Sequence, residues 1–140
     1  MSRMSVFSLF ILALVLFQSQ ASTSANRQIA KETSLMTKTL PDVPGKEGLI
    51  ETVLLSPGEV VPAHQHNADV FAYVLEGSII TRLKDGKPQT VHTGEVFYES
   101  PTDIHVDSRN PSKTQPAKLL VFLVKKIGAP PTVAVTKAAH

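Results

Sequence analysis

Two histidines one residue apart, His64 and His66, stand in the segment Gly58–Gly77, GEVVPAHQHNADVFAYVLEG. Side chains at i and i+2 of a β-strand share a face. Two imidazoles on one strand therefore converge on one point, the arrangement that grips a borderline divalent ion such as Fe, Mn, Co, Ni, Cu or Zn. Isolated H-x-H pairs also occur as ordinary surface or hydrogen-bonded core residues, so the motif needs its context. That context is present. Pro57-Gly58 and Glu76-Gly77 read as turns, and the apolar run Val70–Leu75 lies between the histidines and the second turn. A third histidine, His105, follows another turn-bounded run, Gly94–Pro101.

These residues resemble the two motifs of the cupin superfamily, in its small single-domain form. Gly58, His64, His66 and Gly77 match the spacing of the first motif. Gly94 and His105 stand at the separation of the second, with Asn110 one place late and Ser100, followed by Pro101, where a proline is expected. The resemblance spans roughly Leu49–Val124. It implies an antiparallel double-stranded β-helix, a jelly-roll barrel, with His64, His66 and His105 gathered around one divalent transition metal.

One position departs from the family pattern. The glutamate ligand of the first motif would fall at Val70, and the adjacent Asp69 points to the opposite face unless a bulge intervenes. Glu99 is the better substitute, because it lies six residues before His105, where the family places an inward-facing apolar residue. An inward carboxylate is a costly buried charge that a metal would offset. Alternatively Glu99 ends its strand in water. The site is thus three-histidine or three-histidine plus glutamate, and Glu99 and Tyr98 are the candidate acid/base residues.

The elements that must position these side chains are short β segments. They run over residues 49–55, 60–66, 70–76, 78–83, 89–93, 95–99, 104–108 and 118–126, with Lys84-Asp85-Gly86-Lys87 as a hairpin signal. Strands at this spacing without helical periodicity predict an antiparallel sandwich or barrel. Val53, Leu55, Val60, Ala72, Val74, Ile80, Val96 and Val124 are the candidate wall residues. Residues 119–124 do not alternate, which predicts that both faces of that strand are covered. His92, on an edge strand, and His140, at the chain end, read as solvated.

At 140 residues, 42% hydrophobic and 19% charged, the chain is long and apolar enough for one globular domain. A net charge of +2, without a basic cluster or stacking aromatics, excludes a nucleic-acid partner. With no cysteine there is neither a disulfide nor a thiolate site. Arg3, the apolar stretch Val6–Phe17 and Ser19-Gln20-Ala21 have the layout of a secretory signal peptide. Cleavage after Ala21 is expected, with Ala25 or an uncleaved anchor as alternatives.

The expected organisation is a signal peptide over 1–21, a polar leader over 22–44, the barrel over 45–127 and a loose tail over 128–140. Within the leader, Ile29–Leu40 reads as a short helix or an arm across the domain. The product would be secreted or periplasmic, with no membrane contact after cleavage, and a homodimer stays open. An apolar cup with imidazoles at its base suits a small organic ligand. In the resembling family, three-histidine sites imply an iron dioxygenase, and other sites an isomerase, lyase or decarboxylase. The same family also holds non-catalytic ligand-binding and structural barrels.

Overall fold

The structure, a computed structural model, describes residues 30–135. The signal-peptide segment and His140 lie outside the described residues. Eleven strands and no helix make up the described chain: β1 (Lys31–Thr39), β2 (Lys46–Leu55), β3 (Val60–Val61), β4 (His64–Gln65), β5 (Ala68–Glu76), β6 (Ser78–Leu83), β7 (Gln89–His92), β8 (Val96–Glu99), β9 (Ile104–Arg109), β10 (Ala117–Lys126) and β11 (Val133–Ala134). All pair antiparallel. One sheet has the order β1-β2-β10-β5-β8, the other β11-β4-β9-β6-β7, with β3 also on β9. The expected all-β jelly roll is the architecture found.

Glycine sets the crossing between the sheets. Gly77 joins β5 to β6 at φ +72°, and a Cβ there would lie 2.7 Å from the Pro116 carbonyl oxygen. Only glycine fits such a position without moving backbone. The predicted Asp85-Gly86 hairpin likewise forms, with Asp85 at φ 64°. The motif asparagine clamps a loop: buried Asn110 donates through Nδ2 to the carbonyls of Leu55, Ser56 and Gln115. These bonds hold the chain entering β3 against the chain leaving β9.

Strand parity decides the core. On β5, Ala68, Val70, Ala72 and Val74 face inward, and on β10, Ala117, Leu119, Val121 and Leu123 do so. Val74 and Leu123 are wholly buried, and truncating a Leu123-like side chain to alanine costs about 2–5 kcal/mol through lost transfer energy and a residual cavity. Two expected wall residues are outside instead: Val60 is 54% and Val96 71% exposed. Ile79 replaces Ile80 at the wall, and Leu123 replaces Val124. A one-residue slip in register reverses the face of every side chain, and short apolar runs do not disclose it.

The unbroken apolar run on β10 also has a different cause from full coverage. Its outward residues Leu120 and Phe122 are half-buried beside Phe71, whose ring lies 6.3 Å from Phe122 and 5.2 Å from Tyr98. The outer face is therefore apolar but open, with Phe71 and Tyr73 among its exposed side chains.

Both expected flanks join the sheets. Of the two expectations, residues 31–39 form no helix but an arm laid along the domain; they pair with β2 from Lys31↔Leu54 to Thr39↔Glu47. The segment is an exposed edge strand whose Lys31, Glu32 and Lys38 suit a solvated margin. At the other end, β11 pairs with β4, so the tail is attached through Ala134.

Candidate metal centre

The expected strand 60–66 is split. Pro62, which has no N–H to give a ladder, separates β3 from β4, and His66 lies just past the end of β4. The break leaves the i, i+2 relation of His64 and His66 intact. His64 sits directly across the β4–β9 pair from His105. The ring centroids are 5.0 Å apart for His64–His66, 5.0 Å for His64–His105 and 6.4 Å for His66–His105. The three histidines named from the sequence are one cluster.

Glu99 reaches that cluster from the other sheet. It ends β8 opposite Val70, faces inward and is 5% exposed. Its Oε2 lies 2.9 Å from His105 Nε2 and 3.5 Å from His66 Nε2. Asp69 turns outward, where it accepts a hydrogen bond from the Tyr98 hydroxyl at 2.7 Å. That places Tyr98 on the open outer face, 51% exposed, and corrects its assignment as an acid/base residue. Alternation is the reason: Glu99 inward requires Tyr98 outward. The Asp69 contact raises the Tyr98 phenol above its ordinary pKa.

Each ring is anchored at Nδ1. His64 donates to the Pro62 carbonyl at 2.9 Å, and His66 donates to the Pro131 carbonyl at 2.8 Å, with Thr132 Oγ1 3.3 Å away. His105 Nδ1 lies 3.2 Å from Thr81 Oγ1. A carbonyl can only accept, so Nδ1 carries the proton in His64 and His66, and Nε2 of the neutral ring keeps its lone pair. Burial holds the His64 imidazolium below the ordinary histidine range, and its neighbours His66 and His105 add to that. His64 is therefore a neutral imidazole near pH 7.

Two of these anchors were not foreseen from the sequence. Gly128-Ala129-Pro130-Pro131 reads only as a strand ending, yet Pro131 and Thr132 bring the tail onto His66. Thr81 gave no signal, because its link to His105 spans 24 positions between paired strands.

The cluster lines one side of a cavity with about 620 Å³ of empty space, its open mouth included. Leu55, Val70, Ala72, Ile79, Leu119 and Val121 supply apolar wall. A further carboxylate, Glu51 of β2, faces the same space and is 5% exposed. Its burial, with a smaller contribution from Glu32, pushes its carboxyl up to about 7. Glu51 was not among the expected site residues; its inward parity on β2 was the signal that could have found it.

Among the described residues, no group of three or more His, Cys, Asp or Glu side chains meets the spacing of a formed metal site. The donors converge without being drawn together. Their chemistry nevertheless fits a divalent transition ion: imidazole nitrogens with fixed tautomers plus one carboxylate. In its neutral form, His66 turns an Nε2 lone pair toward Glu99 Oε2, so two acceptors face each other. A shared cation, a proton or a metal, reconciles them. Nε2 of His105 is buried and has no hydrogen-bond partner among the described residues, although Glu99 Oε2 lies 2.9 Å away.

Fold and cavity together define a small antiparallel β-barrel with a histidine-lined cup. The family model described as cupin domain matches residues 51–123. The chain belongs to the cupin family. No curated protein matches it. Among solved structures, it is similar to a conserved protein with a double-stranded β-helix domain from Klebsiella pneumoniae, at 14% identity and TM-score 0.60, over 78% of this chain and 86% of that one. It is similar also to a DMSP lyase from Ruegeria pomeroyi, at 16% identity and TM-score 0.65, over 91% of this chain and 62% of that one. A cupin domain from Bordetella pertussis aligns at 17% identity and TM-score 0.56, over 71% and 96%. At these identities the likeness is one of fold.

Proposed function

We propose that the cup is a metal-dependent site for a small oxygenated organic molecule, on which the protein acts as an oxygenase, isomerase or lyase. His64, His66 and His105, with Glu99 as the fourth donor, would hold one divalent transition metal. The observation that carries this reading is Glu99 Oε2 standing 2.9 and 3.5 Å from two histidine Nε2 atoms, in rings anchored at Nδ1. A bound ion of this kind acts as a Lewis acid toward a ligand oxygen and lowers the pKa of bound water.

The chain's own residues do the rest. The carbonyls of Pro62 and Pro131 fix the tautomers and planes of His64 and His66, as outer partners do in metal sites. Val70 and Ala72 supply an apolar lining beside the cluster, and low-dielectric surroundings strengthen electrostatic interactions. A DMSP lyase stands among the similar folds, which supports keeping a lyase as one member of this reaction class.

The test is a screen of metal-loaded protein against catechols, flavonols, β-diketones and small carboxylic acids, read by O₂ uptake and product analysis. Turnover that disappears in His105→Ala supports an enzyme; tight binding without turnover makes the cup a binding module. Absence of both with every metal contradicts the reading. The apolar stretch 6–17 and Ser19-Gln20-Ala21 support export. Mass spectrometry of the native protein should find a new N-terminus at Ser22 or Asn26, and an intact Met1 would contradict it.

A further inference from the structure

The outer face of the five-stranded sheet carries an order that the cup does not need. Cross-strand partners share a face, and here they line up across all five strands. Met36 of β1 stands opposite Ile50 of β2, Ile50 opposite Phe122 of β10, Phe122 opposite Phe71 of β5, and Phe71 opposite Tyr98 of β8. The next row on this face runs from Leu120 through Tyr73 to Val96. Met36, Phe71, Tyr73, Val96 and Tyr98 are exposed. Gly48 keeps the face low, because a Cβ there would come within 2.9 Å of the Phe122 ring. Charged positions bound the apolar rows at both strand ends. Lys31 and Lys38 stand on β1, opposite Leu54 and Gly48, while Asp69 and Glu76 stand on β5, opposite Val124 and Lys118. One side of the face is thus cationic and the other acidic.

Contiguous exposed aromatic rows mark an interaction surface. Five strands about 4.8 Å apart and eight positions about 3.3 Å apart span roughly 600 Å² in projection. Side-chain relief brings that near the ~800 Å² per partner of a standard interface. The charge layout selects the occupant. We propose that a second copy of this chain packs on this face, sheet against sheet, about a two-fold axis parallel to the strands. Such an axis reverses the strand order, so β1 of each copy lies over β5 and β8 of the other. The β1 lysines of one copy then meet the Asp69 and Glu76 side of the other, and Phe122, on the middle strand, lies at the axis. A two-fold axis across the strands would instead stack β1 on β1 and set lysine against lysine. The contact is isologous, and twisted sheets stack in this way in sandwiches, about 10 Å apart. Ala72, Leu119 and Val121 line the cup from the opposite face of the same strands, so the pairing leaves the cup free and does not depend on a metal.

Sedimentation equilibrium and light scattering on the untagged protein, from low to high micromolar concentration, read the mass in solution. The wild type should show twice the chain mass. Phe71→Glu should raise the dissociation constant of the dimer by about thirtyfold or more, the scale of one central aromatic anchor, with an unchanged circular dichroism spectrum. Val96→Glu, at an exposed position where the fold tolerates a charge, should also weaken the dimer, and it carries the test if Phe71→Glu misfolds. Lys31→Glu with Lys38→Glu should weaken it by about tenfold at low salt, and adding Asp69→Lys and Glu76→Lys to that chain should restore it. A monomer at every concentration, a dimer indifferent to both apolar variants, or a lysine reversal that tightens the dimer overturns the inference. So does a wild-type monomer in which Phe71→Glu makes the segment before Lys31 sensitive to protease, since the chain's own leader would then cover the face.

Discussion

The two walls of the cup bury polar groups in opposite ways. On the histidine wall every ring is held at its far nitrogen, by Pro62, Pro131 or Thr81, and only Nε2 is left to the interior. On the β2 wall, Glu51 is as buried as Glu99 yet is held by nothing among the described residues. A control lies four residues away. Glu47, on the same face of β2, has the Lys125 ammonium and the Gly128 N–H, and these hold its carboxyl below the usual range. Burial alone thus does not set the direction in which a carboxyl is shifted; its partner does. Glu47 closes the barrel end, whereas Glu51 faces open space.

The largest expected effect is on the histidine wall. His105→Ala removes one donor and the Thr81 anchor with it, so metal affinity should fall about 100-fold or more, since even losing an outer partner costs 10–100-fold. Equilibrium dialysis against nickel or zinc reads it. Next comes the control. Lys125→Met leaves the buried Glu47 carboxylate with the Gly128 N–H but no cation, so the melting temperature should drop at pH 8 and recover toward pH 4. An unchanged melting temperature would erase the contrast between the two glutamates.

A smaller effect of opposite sign is expected for Glu51→Gln. Burial pushes the folded carboxyl of Glu51 up to about 7, above the usual carboxylate range. A raised carboxyl leaves the fold most stable below the unfolded pKa, and that stability is lost as pH rises through the folded pKa. Glu51→Gln removes the loss, so at pH 8 it should be more stable than wild type by about 1–3 kcal/mol, with no gain at pH 4. Denaturant titration at both pH values checks it. The smallest effect belongs to the outer face: Asp69→Asn and Tyr98→Phe should leave metal retention unchanged, because their hydrogen bond lies outside the cup.

Much of this was legible from residue spacing. Turn glycines, the H-x-H pair and the later His105 carried the resemblance to the cupin motifs, and that resemblance implied the jelly roll with a histidine cluster. The second motif made Glu99 an inward candidate, and parity made Asp69 an outward one. Parity was not carried through to Tyr98, the neighbour of Glu99, and the short runs around Val60 and Ile80 did not reveal their register. The attachments of β1 and β11 depend on edge hydrogen bonds between distant segments, which polar composition does not encode. Glu51 went unnoticed for a similar reason: its isolation is a property of what surrounds it across two strands.

The account rests on the three histidines and Glu99 holding one ion. Elemental analysis of untagged protein, purified without chelator, measures this directly alongside Glu99→Gln and the His64→Ala, His105→Ala double variant. The account predicts about one divalent transition metal per wild-type chain, a reduced content in Glu99→Gln and almost none in the double variant. Wild-type protein without metal after loading, or metal that survives the loss of both histidines, would contradict it.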